Sequence, residues 1–370
     1  MSRTNLKTIA AVILLFALTA CMQPAASQTT AAAPAPDVAA ALPAQIDLTG
    51  IKTYLTEKTT NLSQTTTTLR ELANRYYTLA EAANFDYGAL WQTNTDEVKT
   101  IVTEARQAWM TASPLYEQME GIVAGTPTLA EFDVILDAGA SGEEDPENAV
   151  PFDLTLPDGR VLPKPGNLFG VLESTLWGTF ADYTAQDVAP DLDNNRAVDF
   201  GDALPEANVF KAAADAIDSY ATELAAAAQE WQPTEAEAFS ALVVMVPTMN
   251  EYFGSWRDSR FVAGEASTQR DFVAISRLAD IVDILGGLEV VYAEVQPLVD
   301  TVDTAQAEQI ATDLQALKAF VADIYGQEND GKRFTPEEAD LLGAEAQNRA
   351  TAITGQVSQA AAQLNIEIEE

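Results

Sequence analysis

Apolar residues recur three and four positions apart through most of residues 46–370, which is the spacing of one face of an α-helix. The clearest stripe has Leu55, Leu62, Leu69 and Tyr76 at intervals of seven. Such a stripe buries its face against neighbouring helices in a bundle. The pattern therefore predicts an all-α protein.

The same spacing, together with start signals, predicts the bounds of the individual helices. They are Ile51–Ala83, Asp96–Val123, Thr128–Asp137, Asn167–Tyr183, Pro205–Gln229, Thr234–Phe253, Thr268–Val295, Asp303–Tyr325 and Thr335–Asn365. Thr234 and Thr335 precede acidic residues, as N-caps commonly do. These helices are too many for one four-helix bundle, and we expect two that pack together.

Two irregular segments interrupt the helices. Residues 138–166 are rich in glycine, proline and acid, and their Leu-Pro-Asp-Gly sequence predicts a turn in a small hairpin. The loop at 186–203 is the predicted boundary between an N-terminal bundle at 46–185 and a C-terminal bundle at 204–370.

The first 45 residues have another pattern. The basic residues Arg3 and Lys7 precede a short apolar run that ends in small residues before Cys21, the only cysteine of the chain. This arrangement predicts a lipoprotein signal peptide at 1–20 and a lipidated, disordered tether at 21–45. The protein would then be extracytoplasmic, in the periplasm or at the cell surface, and anchored to membrane lipid through Cys21. The alternative is an ordinary signal peptide with a chance cysteine.

Charge and composition narrow the function. The chain has 20 basic and 56 acidic residues and a formal net charge of −36, which disfavours nucleic-acid binding and favours cations. The acid could also serve only solubility. The chain contains no histidine, so Ser-His-Asp catalysis and metal sites that need imidazole are excluded. Oxygen ligands remain available for a metal.

One loop follows the order of ligands in a calcium-binding loop. Residues 191–202 place oxygen ligands at positions 1, 3, 5, 9 and 12, from Asp191 to Asp202. Position 6, where the sharp turn favours glycine, is Arg196. The loop is therefore either a solvated connection or a weak calcium site.

Several short motifs carry a resemblance to a known family. They are Ala105-Arg106 before Trp109, Tyr116 to Glu120, Phe169 to Glu173 before Leu176-Trp177, and later Asp271-Phe272, Gly287 with Val291-Tyr292, and Asp330-Gly331 before Phe334-Thr335. Together they resemble the imelysin-like family, which includes the imelysin peptidase-like proteins and the EfeO and EfeM iron-uptake lipoproteins. That resemblance implies two four-helix bundles, with a metal site on facing helices of the first.

The resemblance also implies the site residues. Glu120, Asp133, Asp137 and Glu173 match acidic positions of the family, whereas Gly170 stands where the family has the histidine of its His-x-x-Glu motif. Four carboxylates could form an all-oxygen cage, which suits ferric iron, calcium or manganese better than zinc. The alternative is that the site has decayed.

These observations predict a non-catalytic binding protein related to iron or metal-ion uptake, which passes its cation to a membrane transport partner. Two alternatives stay open. One is a structural or interaction lipoprotein with a degenerate metal site. The other is a saccharide-binding protein that uses Trp109, Trp177 and Tyr116, although such aromatic residues more commonly belong to a core. Without imidazole ligands, a zinc peptidase is not expected.

Overall fold

The computed structural model describes residues 46–368. The predicted signal peptide at 1–20, the tether at 21–45 and the lipidation site Cys21 lie outside the described residues. Those assignments therefore remain predictions.

Helices dominate the described part of the chain, as the apolar spacing predicted. The α-helices are α1 (Thr49–Ala82), α2 (Tyr87–Val123), α3 (Ala130–Asp133), α4 (Leu168–Trp177), α5 (Ala207–Glu230), α6 (Glu235–Met245), α7 (Met249–Asp258), α8 (Arg277–Asp300), α9 (Thr304–Asn329) and α10 (Pro336–Leu364). None of them combines the length and the apolar character needed to cross a membrane. The all-α prediction is confirmed.

Helix α1 packs against α2 and α5 through the predicted stripe, whose four members are fully buried. Its threonine-rich stretch has low helix propensity and is held by contacts with α5. Thr66 and Thr67 donate hydrogen bonds to Asp218 Oδ1 at 3.1 and 2.8 Å, and Arg70 lies 2.6 Å from Asp218 Oδ2. Tertiary contacts thus hold a segment that local propensity alone would not.

Several helix ends differ from the predicted ones. Helix α2 begins nine residues before the predicted Asp96, because the Asp86 side chain caps it by accepting a hydrogen bond from Ala89 N at 2.9 Å. A non-helical residue at Asn94 kinks this first part and breaks the apolar spacing there. Helix α8 begins at Arg277 rather than Thr268.

The capping predictions hold at the two expected positions. Thr234 and Glu237 exchange side-chain to backbone hydrogen bonds at 3.1 and 3.0 Å, and Thr335 forms the same capping box with Glu338. The helix predicted from Thr234 is interrupted by a 3₁₀ turn at Val246–Thr248, which contains a proline and separates α6 from α7.

The irregular insertion contains the predicted hairpin. Strand β1 (Leu154–Thr155) pairs antiparallel with β2 (Val161–Leu162), and Gly159 in the turn has a φ of 88°. This left-handed conformation is the one that glycine adopts without strain.

Residues Gln45–Glu370 form one compact unit by their contacts. Helix α5 follows the 186–203 loop, yet it packs on α1 and α4. Helix α9 packs on α8 and α10, and α10 also packs on α7. The division into bundles at 186–203 remains a prediction. Helix α5 lies after this loop in the sequence but packs against α1 and α4, which lie before it.

Candidate functional site

A cavity of about 380 Å³ lies where α2, α4, α7 and the start of α8 meet the irregular insertion. Its wall includes six acidic side chains: Glu120, Asp133, Asp137, Glu144, Glu251 and Asp271. Two basic side chains, Arg270 and Arg277, also line it. The cavity is therefore acidic but contains a positive charge of its own.

Helix α2 supplies the first wall. Tyr116, Glu117 and Glu120 lie within one helical turn of each other, and all three are buried. Apolar residues occupy most of the remaining buried face of α2, which carries these carboxylates into the interior. Two buried carboxylates on one turn repel each other unless positive charge or hydrogen-bond donors lie near them.

The second wall follows α3, where the backbone widens into a π-helical turn at Val134–Ala138. Gly139 N donates to Val134 O across five residues at 3.0 Å, which closes this turn. Asp133 and Asp137 stand at its start and near its end, and both are buried. Asp133 Oδ1 accepts a hydrogen bond of 2.8 Å from the Tyr116 hydroxyl. Such wide turns occur often at functional sites, where they redirect side chains.

The third wall comes from α7 and α8. The Tyr252 hydroxyl donates to Glu120 Oε1 at 2.7 Å. Arg277 Nη1 lies 3.2 Å from Asp280 Oδ2, 3.5 Å from both oxygens of Glu117 and 3.9 Å from Asp137 Oδ2. The resemblance placed a metal site within the first bundle, and the structure adds residues from the later helices to the same cluster.

Two carboxylate oxygens in this cluster lack a hydrogen-bond donor. Glu120 Oε2 and Asp137 Oδ2 are buried and have no hydrogen-bond partner among the described residues. Together with Glu117, these two residues offer oxygens that lie within 4.8 Å of one another. A hard cation that binds between them would satisfy oxygens whose burial is otherwise costly.

Electrostatics of the cluster favour protonation or a bound cation. Burial, with a smaller contribution from the charge of Glu120, raises the pKa of Asp133 to about 8, although the hydrogen bond from Tyr116 and the charge of Arg277 oppose the increase. Burial also raises the pKa of Asp280 to about 6, although Arg277 opposes that increase. The pKa values of Glu117 and Asp137 lie well above the usual range, chiefly because both side chains are buried.

Glu173 occupies a different environment from the other three predicted ligands. Its Oε1 accepts hydrogen bonds from Val273 N and Ala274 N at 2.9 and 2.7 Å, and its Oε2 accepts one from Phe272 N at 2.7 Å. Burial raises its pKa to about 8, while these three N–H donors oppose the increase. Both oxygens are thus engaged with the segment before α8, and this geometry does not support the expectation that Glu173 is a metal ligand.

Gly170 leaves little room for a larger side chain. A Cβ atom at this position would lie 2.9 Å from Asp271 Oδ2 and 3.1 Å from Asn167 Oδ1. Asn167 Oδ1 caps α4 by accepting a hydrogen bond from Gly170 N at 2.7 Å. A side chain at Gly170, which lines the cavity, would therefore require the carboxylate of Asp271 and the amide of Asn167 to shift.

The aromatic residues that could have formed a sugar platform are mostly in the core. Trp109 and Tyr116 are 4% and 0% exposed, and Trp109 Nε1 donates to Phe169 O at 3.1 Å. Trp177 is half-buried, with the Arg106 guanidinium 5.6 Å from its ring. These positions agree with the interpretation of these residues as core.

The loop at 191–202 brings three aspartates together in a more exposed setting. Carboxylate oxygens of Asp191, Asp193 and Asp202 lie within 4.8 Å of each other. Backbone N–H groups of the loop donate to all three, and Asp202 accepts one from Leu192 N at 2.8 Å. Arg196, at the position that favours glycine, has a φ of 69°.

Sequence reasoning missed four members of the cavity cluster: Glu117, Tyr252, Arg277 and Asp280. Two signals could have indicated three of them. Glu117 precedes Glu120 by three positions in an otherwise apolar helix face, and Arg277 precedes Asp280 by three at the start of α8. Nothing in the sequence around Tyr252 indicates that it reaches Glu120.

Comparison with known proteins identifies a family for this arrangement. The family model described as Imelysin, a group named peptidase family M75, matches residues 55–359, which is most of the chain. Among curated proteins, no relative of the chain is detected. The match covers all the carboxylates of the cavity and confirms the resemblance that the short motifs indicated. The chain belongs to the imelysin family.

Proposed function

We propose that this protein is a non-catalytic, extracytoplasmic binding protein that captures a metal cation in the carboxylate cavity. The observation that carries the proposal is that Glu120 and Asp137 each have a buried oxygen without a hydrogen-bond donor among the described residues, and that the only ion-pair contact of these two oxygens there is the one of 3.9 Å between Asp137 Oδ2 and Arg277 Nη1. Unpaired buried anions are costly in a folded protein, and a cation between them removes that cost. Asp133, Glu120 and Asp137 are the ligands that we assign. We leave Glu173 out, because its two oxygens are engaged.

The donor set selects a class of metal. Carboxylate and phenol oxygens suit ferric iron, calcium or manganese, and no histidine exists to attract zinc through imidazole. Since a water molecule in the liquid occupies about 30 Å³, the cavity of about 380 Å³ has room for a partly hydrated ion or a small chelate. Within the family, this set of properties fits iron uptake better than peptide hydrolysis.

A titration of the purified chain tests this proposal. The chain would be freed of metal and titrated at pH 7.5 with Mn²⁺, Ca²⁺ and, without oxygen, Fe²⁺. We expect one tight ion for each chain, and at least a hundredfold loss of affinity when Glu120→Gln and Asp137→Asn are combined. The matched control combines Asp191→Asn with Asp193→Asn, which removes two charges from the exposed loop and should leave the affinity unchanged. Absence of binding at micromolar concentrations of all three ions would refute the proposal.

A second candidate is an interaction lipoprotein that retains the fold without a metal. It is favoured by Gly170, which replaces the histidine of the family motif and whose Cβ would need Asp271 and Asn167 to shift, and by Arg277, which already brings positive charge to the cluster. It predicts that the wild-type chain has the same melting temperature with and without chelator. The melting temperatures in Mn²⁺ and in chelator separate the two candidates.

The anchor is part of the same proposal. We infer that Cys21 receives lipid after removal of residues 1–20 and that the cavity then faces the space outside the cytoplasm, where a membrane transport partner accepts the cation. Removal of residues 1–20 takes away two basic residues and no acidic one, so the formal charge becomes −38. Cys21→Ser should abolish lipid labelling and release the chain from the membrane fraction. A chain that stays in the membrane fraction after this substitution would refute the anchor.

A further inference from the structure

The cavity cluster contains more buried carboxyl groups than its one buried guanidinium can pair with. Five buried carboxylates meet there: Glu117, Glu120, Asp133, Asp137 and Asp280. Among the described residues, Arg277 is the only arginine or lysine that is buried. A buried cluster with this imbalance can accommodate additional positive charge. The contacts of Arg277 show which carboxylates its guanidinium already stabilises.

Arg277 lies closest to two of the five carboxylates, those of Asp280 and Glu117. Its Nη1 lies 3.2 Å from Asp280 and 3.5 Å from both oxygens of Glu117, whereas Asp137 is at 3.9 Å. Direct guanidinium–carboxylate hydrogen bonds are usually shorter, at about 2.7–2.9 Å. Arg277 Nε has no hydrogen-bond partner among the described residues. The guanidinium therefore lies among the carboxylates as a shared charge and does not form a tight two-pronged pair with any one of them.

Aromatic rings hold Arg277 in this position. Its guanidinium carbon lies 4.5 Å from the centroid of the Tyr252 ring and 4.3 Å from that of Phe272. Both distances are those of cation–π contacts. Arg277 is also the first residue of α8, where the helix dipole disfavours a cation. The carboxylates and the rings, rather than the helix, thus determine where the charge lies.

We propose that Arg277 is a built-in cation that fills one half of a two-cation site, so that the protein binds one metal ion although it carries ligands for two. The half that it fills consists of Glu117 and Asp280. The open half consists of Glu120 and Asp137, each with a buried oxygen that has no hydrogen-bond donor among the described residues, and Asp137 Oδ2 is the most distant of the oxygens around Arg277, at 3.9 Å. Asp133 lines the same cavity. This inference rests on the proposed function for the open half only. The assignment of Arg277 to the other half rests on its own contacts.

The proposal makes Arg277 a determinant of stoichiometry. Without the guanidinium, Glu117 and Asp280 are buried carboxylates with no positive partner, and their oxygens suit a hard divalent cation. A second ion would then bind where the guanidinium was. If Arg277 were only a structural ion pair, its loss would destabilise the protein equally with and without metal.

The test compares Arg277→Ala with Arg277→Lys in the full chain. The bound Mn²⁺ would be counted by elemental analysis and by titration at pH 7.5. We expect one ion for wild type and for Arg277→Lys, which keeps the charge, and two ions for Arg277→Ala. Addition of Glu117→Gln and Asp280→Asn to Arg277→Ala should return the count to one, since the ligands of the second ion are removed. One ion with wild-type affinity in Arg277→Ala would overturn the proposal.

Four further outcomes also decide between the proposals. If Arg277→Ala does not fold in chelator, the proposal requires that Mn²⁺ restore its cooperative unfolding transition, and failure of Mn²⁺ to do so overturns it. If wild type binds no ion while Arg277→Ala binds one, the proposed function fails and the built-in cation is supported. If wild type and Arg277→Ala each bind one ion, only the present inference fails. Absence of binding in both removes both proposals.

Discussion

Among the described residues, two acidic triplets bring their carboxylate oxygens within 4.8 Å of each other: Glu117, Glu120 and Asp137 in the cavity cluster, and Asp191, Asp193 and Asp202 in the loop. The cavity triplet is buried among helices, and two of its oxygens have no hydrogen-bond partner in the described structure. In the loop, neighbouring backbone N–H groups donate to each of the three aspartates, and Asp193 is exposed.

The difference shows that proximity of carboxylates is not enough to indicate a site. In the loop, water and local N–H groups solvate the charges, so a metal gains little by replacing them. In the cavity, two oxygens of buried residues have no donor among the described residues, and a cation would supply the missing interaction. Asp191 Oδ1 of the loop is also buried without a hydrogen-bond partner among the described residues, but it belongs to a half-buried residue, whereas both such oxygens of the cavity belong to buried residues. The extent of burial, together with the number of unmet oxygens, therefore distinguishes the candidate site from the acidic turn.

The largest effect should come from a third arrangement, in which a buried carboxylate is fully satisfied. Glu173→Ala removes the acceptor of three backbone hydrogen bonds and leaves three N–H groups before α8 without it. Since each unsatisfied buried group costs about 1–3 kcal/mol, we expect a loss of about 3–5 kcal/mol in the free energy of unfolding. Urea denaturation at pH 7 measures it.

The affinity of the folded Glu173→Ala variant for Mn²⁺ distinguishes a structural glutamate from a ligand. We expect it to stay within about threefold of wild type once the folded fraction is taken into account, a difference below about 1 kcal/mol. A loss of tenfold or more without a loss of stability would return Glu173 to the ligand set. Glu173→Gln, which keeps one carbonyl oxygen, serves as the intermediate variant.

Glu173 also illustrates what the sequence could and could not predict. The apolar stripe of α1 and the caps at Thr234 and Thr335 depend on residues close in the chain, so local spacing was sufficient for them. The partners of Glu173 lie about 100 positions away, in a segment that the apolar spacing assigned to a helix. A motif identified Glu173, but only the tertiary structure shows which N–H groups donate hydrogen bonds to its oxygens.

The cavity cluster had the same limitation. The resemblance indicated Glu120, Asp133 and Asp137, and the structure brings these three together. The resemblance gave no indication of Arg277, whose guanidinium lies near carboxylates from two other segments. The net charge of a buried site depends on every segment that lines it. A ligand set inferred from part of the chain therefore omits the charged groups that other segments contribute.

Titration of the cavity should have the second largest effect. The pKa of Asp133 is raised to about 8 in the folded protein, whereas an ordinary aspartate has a pKa of 3.8. Between these values the folded state binds more protons than the unfolded state, so the free energy of unfolding falls as the pH rises from about 4 to about 8. Asp280 contributes in the same direction up to a pH of about 6. The expected fall in metal-free protein is at least about 3 kcal/mol.

Chemical denaturation in chelator from pH 4.5 to pH 8.5 measures this dependence. Asp133→Asn should reduce the slope, because the amide carries no charge at any of these pH values. The remaining slope belongs to the other buried carboxylates with raised pKa values, which are Glu117, Asp137, Glu173 and Asp280. Asp193→Asn, in the exposed loop, should leave the slope unchanged. A free energy of unfolding that rises through this pH range in wild type would contradict the conclusion that these buried carboxylates have raised pKa values.

A smaller effect is expected at Tyr252, whose hydroxyl donates a hydrogen bond to Glu120. Tyr252→Phe removes the hydrogen bond to Glu120 Oε1 and leaves both oxygens of a buried carboxylate without a donor. The free energy of unfolding in chelator should fall by about 1–3 kcal/mol. Saturating Mn²⁺ should recover most of this loss, because the ion replaces the missing donor. A loss that is the same in Mn²⁺ and in chelator would show that the phenol stabilises the fold independently of the site.

The smallest effect should belong to the loop. The combination of Asp191→Asn and Asp193→Asn keeps amide oxygens that can accept the same backbone hydrogen bonds and removes the charges of one half-buried and one exposed side chain. Exposed substitutions of this kind usually change stability by less than about 0.5 kcal/mol. We therefore expect unchanged unfolding in urea, with Ca²⁺ or with chelator. If Ca²⁺ stabilises wild type but not this variant, the loop is a calcium site after all. The contrast between the two triplets would then reflect which ion each one binds, because a solvated loop can still bind Ca²⁺ weakly through carboxylates and water.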